Sequence, residues 1–279
     1  MANENHRQSQ FTEAIDYLRV HPEGRRAFGI LATLFLKIIV RGLLHRSTPV
    51  AHDFLKLSEA FHTDIRINGI EHLPKEGGFM PMISHIVSKE AFPWWLDESA
   101  HPYGYIQGLI QSLEQIGRER DLRFIALDDK HSPPVFHFMQ ELIHSCYGSF
   151  TVSSGAINGS LNNAVAALAN DQIIFIAPEG KTTLVLNEFK LGVTKFAHLG
   201  KPYIPMAYYE VRENEKSYFV FNIGKAIYPL NSSSNWDKPD RRAFADILGF
   251  AVAELLPPNL RGHYSKSPTI SPTLTVSHA

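Results

Sequence analysis

The chain has 279 residues, 44% hydrophobic and 20% charged, enough to bury a substantial core as one large domain or two small ones, of which one domain with an N-terminal helical appendage is expected. Its 27 Lys and Arg against 28 Asp and Glu leave a formal net charge of -1, which excludes the basic field that nucleic-acid binding needs. The single cysteine, Cys146, excludes an internal disulfide and a Cys-based metal site, and the 14 histidines include no His-Glu-x-x-His and no cluster with Asp or Cys, so no metal is expected.

Residues 1–24 are polar, with a short helical pattern at Phe11, Ile15 and Leu18 that Pro22 and Gly24 are expected to end. The first thirty residues lack the short apolar core and small-residue cleavage site of a signal peptide, so Asn158-Gly159-Ser160 and Asn231-Ser232-Ser233 are not read as glycosylated. From Ala27 to His45, Thr33, Lys37, Arg41 and His45 recur every four residues in an otherwise apolar run. That spacing predicts a helix about 28 Å long with one narrow polar stripe. Two cations in its second half make spanning a bilayer costly. A place in the membrane interface fits better, with the Arg and Lys at head groups and Phe28, Leu31, Leu34, Phe35, Ile38 and Leu44 in the acyl region. Burial against the protein body is the alternative.

Beyond a short helix at 50–60, Phe61 to Ile67 alternates as a strand, Asn68 to Pro74 turns the chain, and Gly78 to Ile83 is a second strand. Trp94, Trp95, Tyr103 and Tyr105 precede a polar helix around Leu109 to Ile116. Leu122 to Leu127 is a strand, and a helix runs from Pro133-Pro134 to about Cys146. Tyr147 to Val152 is a strand, Ala156 to Ala169 a helix, and Ile173 to Ala177 an apolar strand buried on both faces. A helix to Leu199, strands at Tyr203 to Tyr209 and Tyr218 to Ile223, and a helix at Arg241 to Leu256 follow. Alternating helices and apolar strands predict an α/β fold with a mixed, mostly parallel sheet flanked by helices. The expected division is a helical membrane-associating segment at 1–60, a domain at 61–262 and a disordered Ser/Thr/Pro tail at 263–279.

Two stretches carry chemistry. In Ser84-His85-Ile86-Val87-Ser88-Lys89-Glu90 the histidine and carboxylate point about 140° apart on any continuous helix, so they meet only if His85 ends a strand and Glu90 follows a turn. A carboxylate on one ring nitrogen fixes the tautomer and raises the basicity of the other, which suits a general base acting on a hydroxyl. The second is Pro178-Glu179-Gly180-Lys181-Thr182-Thr183, where a buried strand ends in a turn whose N–H groups and ammonium suit a phosphate or other anion.

The order of these pieces resembles the 1-acylglycerol-3-phosphate acyltransferase family, the PlsC-like lysophospholipid acyltransferases. The lead-in is INGIEHLP (67–74), the catalytic block SHIVSKE (84–90), the second block YGSFTVS (147–153), the third IAPEGKTT (176–183) with FKLG (189–192) after it, and the fourth KPYIPMAY (201–208). The resemblance implies His85 as general base, oriented by Glu90. It implies an acceptor site from Glu179, Gly180, Lys181, Thr182, Lys130 and Ser153, with backbone N–H groups near Gly148 or Gly180 for the oxyanion. It further implies an acyl-CoA or acyl carrier protein donor, a lysolipid acceptor, no cofactor, and attachment to the cytoplasmic face of a membrane. Glu90 replaces the usual aspartate, Ser84 the usual asparagine, and Ser153 and Lys181-Thr182 stand where arginines usually hold the acceptor phosphate. A catalytically silent lipid-binding protein is the non-enzyme alternative. A lipid esterase using Ser153 or Ser154 lacks the Gly-x-Ser-x-Gly elbow, since Val152 stands where its first glycine would.

Overall fold

The computed structural model describes residues 22–44, 53, 64–84, 86, 104–128, 146–153, 160–180, 183–213, 216–229, 236–266 and 277–278. The expected helices at 50–60 and 133–146 and the aromatic stretch at 93–103 lie outside them, Asp53 and Cys146 apart. The strands are β1 (Ile65–Asn68), β2 (Met80–Ile83), β3 (Leu122–Asp128), β4 (Phe150–Ser153), β5 (Ile173–Phe175), β6 (Tyr203–Glu213), β7 (Lys216–Ile223), β8 (Ile227–Tyr228) and β9 (Ser277–His278). The helices are α1 (Pro22–Leu43), α2 (Gly104–Gln115), α3 (Ser160–Ala169) and α4 (Lys238–Glu254), and Leu191–Leu199 is a 3-10 helix.

Pairings and isolated bridges join the main strands in the order β1–β7–β6–β2–β5–β3–β4. β2 runs parallel to β6, with Met80 opposite Tyr203 and Ile83 opposite Met206. Its other edge meets β5 through parallel bridges Phe79 to Ile173 and Met82 to Ile176. β3 runs parallel to both β4 and β5, while β6 and β7 form an antiparallel pair and β1 follows β7. The sheet is thus mixed and parallel-rich, and β2, β3, β4, β5 and β6 all end at one edge.

The period-2 alternation of the central strands divides the core between the two faces. Phe79, Ile83, Ile173, Phe175, Ile204, Met206 and Tyr208 face one core with Ile106, Leu109, Ile110 and Leu113 of α2 and Ile38 of α1. Met80, Met82, Ile174, Tyr203 and Ala207 face the other with Ala164 and Leu168 of α3, Phe196, and Phe244, Leu248 and Val252 of α4. Each such Leu, Ile, Phe or Met, fully buried, contributes about 1.5–3 kcal/mol from burial. α2 is more apolar than its expected polar character, for it buries Gly104, Ile106, Gln107, Gly108, Leu109, Ile110, Ser112 and Leu113. The lead-in block is a docking device: Gly69 has φ +83°, and the His72 ring lies with Nδ1 2.8 Å from Ile223 O at the end of β7.

Pro22 opens α1, where proline at the first turn lacks only a donor that would be unsatisfied, and the helical pattern expected at 11–18 lies outside the described residues. Ile38 is buried and Leu34 half-buried against the core, so neither points outward, while Leu36, Val40, Leu43 and Leu44 are exposed. Arg41 leaves the expected polar stripe to pair with the buried Asp53 at 2.7 Å, and Tyr147 Oη donates to the same Asp53 Oδ2 at 3.2 Å. Burial, then the Asp53 carboxylate, raise the Tyr147 phenol, which keeps its proton on this hydrogen bond. The core also continues past position 262: Tyr264 is buried, with Phe250 edge-on at 5.0 Å, and Ser277–His278 pairs with β8.

Candidate active site

The edge where β2, β5, β3 and β4 end is where open parallel sheets hold ligands, since the connections leave a crevice outside the carboxyl ends. Each of these strands leads into one of the sequence motifs. β2 ends at Ile83, one residue before Ser84-His85; β5 runs into Ile176-Ala177 and the Pro178 turn; β3 ends at Asp128, two residues before Lys130; β4 ends on Ser153, opposite Asp128. His85, Glu90, Lys130, Lys181 and Thr182 lie outside the described residues. The backbone on either side of His85 is set: the Ser84 N–H donates to Met206 O at 3.4 Å, and Ile86 bridges Thr183 in parallel.

The third block forms a tight turn. Gly180 adopts φ +66°, and its N–H donates to Ala177 O at 3.0 Å, while Pro178 O accepts from the Lys190 N–H at 2.9 Å. The Gly180 N–H is therefore engaged within the turn, while Lys181 and Thr182 beside it lie outside the described residues. Glu179 is buried; its Oε1 accepts from the Asn187 N–H at 3.2 Å and lies 3.4 Å from Thr183 Oγ1, which donates to Val185 O at 2.8 Å. A carboxylate turned into the loop below is suited to holding that loop and, as a like charge, unsuited to meeting a phosphate. Gly148 needs a correction. With φ +61° it precedes β4, so it stands at the opposite edge of the sheet, about 16 Å from Ser153 at strand rise. A Cβ there would meet Arg123 at the start of β3.

Three features escaped the sequence reading. The Ser84 hydroxyl is buried with no hydrogen-bond partner among the described residues, an uncommon condition that marks functional or strained places. The loop after the turn is clasped by the C-terminal segment. Leu186 N–H donates to Leu260 O at 2.8 Å, His263 N–H to Leu186 O at 2.9 Å, and Phe189 N–H to Tyr264 Oη at 2.9 Å. The Lys190 side chain lies across Gly180, so close that a methyl group there would stand 2.6 Å from its Nζ. The only sequence signal for the last was the FKLG that follows the third block; the clasp left none, because two of its three bonds join backbone groups and the third rests on one tyrosine hydroxyl.

The fold has a solved counterpart. The chain is similar to the crystal structure of the 1-acyl-sn-glycerophosphate (LPA) acyltransferase, PlsC, from Thermotoga maritima, over 92% of this chain and 100% of that one, with a TM-score of 0.50 and 15% sequence identity. No family model matches the sequence, and no curated protein does. At this identity the likeness is one of fold: a parallel-rich α/β sheet flanked by helices, shared with a solved acyltransferase.

Proposed function

We propose that this protein is a membrane-associated acyltransferase that moves a fatty acyl group from an acyl thioester to the hydroxyl of a lysophospholipid or related glycerolipid. One observation carries the reading. The strands leading to His85, Lys130, Ser153 and the Glu179 turn all end at one edge of the sheet, in a fold shared with an acyltransferase. In the proposed reaction the His85 imidazole takes the proton of the acceptor hydroxyl, and Glu90 orients and charges the ring. The acceptor oxygen forms its bond to the thioester carbon, the carbon–sulfur bond breaks, and the imidazolium returns the proton to the thiolate. A thiol of pKa near ~8.5 leaves readily at neutral pH, so this route requires no cofactor and no covalent enzyme intermediate. Lys130, Ser153, Lys181 and Thr182 are assigned to the acceptor end, with Glu179 as the positioning residue of the turn. The donor is acyl-CoA or acyl carrier protein.

The membrane part of the reading rests on α1. No helix among the described residues is long and apolar enough to cross a membrane. α1 instead keeps Leu34 and Ile38 against the body and turns Leu36, Val40, Leu43 and Leu44 outward beside the exposed Lys37. An apolar stripe with a cation beside it fits the interface of the cytoplasmic leaflet, from which a lysolipid is drawn and to which the diacyl product returns. The test is product formation. Full-length protein, vesicles containing lysolipid and a labelled long-chain acyl-CoA yield a labelled diacyl lipid, and Glu90→Ala lowers the rate by about 100-fold or more. Absence of labelled product with every lysolipid and both donor types rejects the reading and leaves a lipid-binding protein of the same fold.

A further inference from the structure

The acceptor site just proposed lacks the arginines that its resemblance would supply, and Ser153 and Thr182 stand in their places. Lys130 and Lys181 are assigned to the acceptor end above, and as point charges without an arginine's fork they leave room for a further cation at the carboxyl edge of the sheet. Among the described residues, most cations around the Pro178 turn are spent. Arg242 pairs with Glu188 at 3.1 Å and Asp246 at 2.8 Å and donates to Phe189 O at 2.7 Å. Arg241 donates to Thr194 Oγ1 at 3.0 Å and Leu191 O at 3.0 Å. The nearby carboxylates are engaged as well, Glu188 with Arg242 and Glu179 with Asn187.

Lys190 differs in three respects. Its root is fixed, because its own N–H is tied to Pro178 O at 2.9 Å and the preceding Phe189 is fully buried. Its stem lies over the turn: a methyl on Gly180 would stand 3.1 Å from Cδ, 3.0 Å from Cε and 2.6 Å from Nζ. Its ammonium forms no ion pair or hydrogen bond with any described residue, and the residue is exposed. The absence of a side chain at Gly180, which φ +66° already requires, is what lets the ammonium settle on the turn.

We propose that Lys190 is a further cation, in addition to Lys130 and Lys181, that receives the phosphate of the acceptor's head group, with Gly180 providing its seat. This rests on the acyltransferase reading. The chemistry is an ammonium meeting a phosphate, and the two sources of phosphate are the acceptor lipid and the nucleotide part of an acyl-CoA donor; the acceptor is the one proposed. A single ammonium acts as a point charge without the planar fork of an arginine, so its selectivity for phosphate is moderate.

The test uses the full chain in neutral detergent micelles, where surface charge does not change between variants, with a 1-acylglycerol 3-phosphate and an uncharged monoacylglycerol as acceptors. Lys190→Met keeps the stem and removes the charge; Lys190→Arg keeps the charge. The expected result is a rise of about tenfold or more in the KM for the phosphate-bearing acceptor with Lys190→Met, loss of selectivity over the uncharged acceptor, and recovery of most of it with Lys190→Arg. Unchanged KM for the phosphate acceptor overturns the proposal. So does a change confined to the KM for acyl-CoA, which gives the charge to the donor, or to thermal stability, which makes the stem mere packing. Failure of the wild-type protein to acylate any acceptor overturns the underlying reading, and with it this proposal, before a variant is made.

Discussion

Glu179 offers the sharpest separation of a positioning role from a binding one. In the structure its carboxylate is buried and accepts the Asn187 N–H at 3.2 Å, with Thr183 Oγ1 at 3.4 Å. Glu179→Ala removes a hydrogen bond to a charged acceptor and leaves the half-buried Asn187 N–H without that partner. The two effects together cost about 3 kcal/mol. Glu179→Gln keeps an oxygen at the same place and loses mainly the charge assistance, about 1 kcal/mol. The difference of about 2 kcal/mol corresponds to roughly 4–8 °C in Tm for a domain of this size. Calorimetry of the three proteins measures it, and amide exchange at Asn187 reports the local part: the amide is expected to exchange faster in Glu179→Ala than in Glu179→Gln. If both variants melt with the wild type while the acceptor KM shifts, Glu179 touches the head group and the positioning role is refuted.

Other outcomes follow from single residues. The Tyr208 hydroxyl is buried without a hydrogen-bond partner among the described residues, so Tyr208→Phe is expected to leave stability unchanged or raise it by up to about 1 kcal/mol in denaturant titration. Arg41→Met removes the cation paired with the buried Asp53 carboxylate and is expected to cost on the order of 3 kcal/mol by the same titration; a neutral result means α1 is not docked through this pair. The Asp171 carboxyl is held below the usual carboxylate range, first by the hydrogen bond from Lys201 and then by the Gly78 N–H. Its contribution is therefore present above the unfolded-state carboxylate pKa and is lost as pH falls through the lower folded value. The stability gap between wild type and Asp171→Asn should be constant near neutrality and close in acid.

Much of the architecture was legible because the apolar runs are strong and periodic. Ile173 to Ala177 reads as a strand buried on both faces and contributes Ile173, Ile174 and Phe175 to the two cores. The approximate position of α4 was legible too, though its start lies at Lys238 with Asp237 capping it, three residues before the expected Arg241. What stayed hidden depends on pairing across long separations. Glycine in YGSFTVS reads as a site residue until the register of β3 and β4 shows that it enters the strand at the far edge. The polar stripe of α1 reads as a solvent or head-group face until Asp53, twelve residues on, claims Arg41. Residues 263–266 were assigned by composition to a tail, yet Tyr264 fills the second core and holds the loop after the Pro178 turn. Composition sees the Ser and Pro around that tyrosine and misses its one large ring.

The measurement that bears most directly on the central claim is thiol release from a long-chain acyl-CoA by the purified full chain, with and without a lysolipid, in wild type and His85→Ala. The expected result is release that needs the lysolipid and falls by at least about 100-fold in His85→Ala. Release that proceeds without an acceptor, or equal rates in the two proteins, contradicts it.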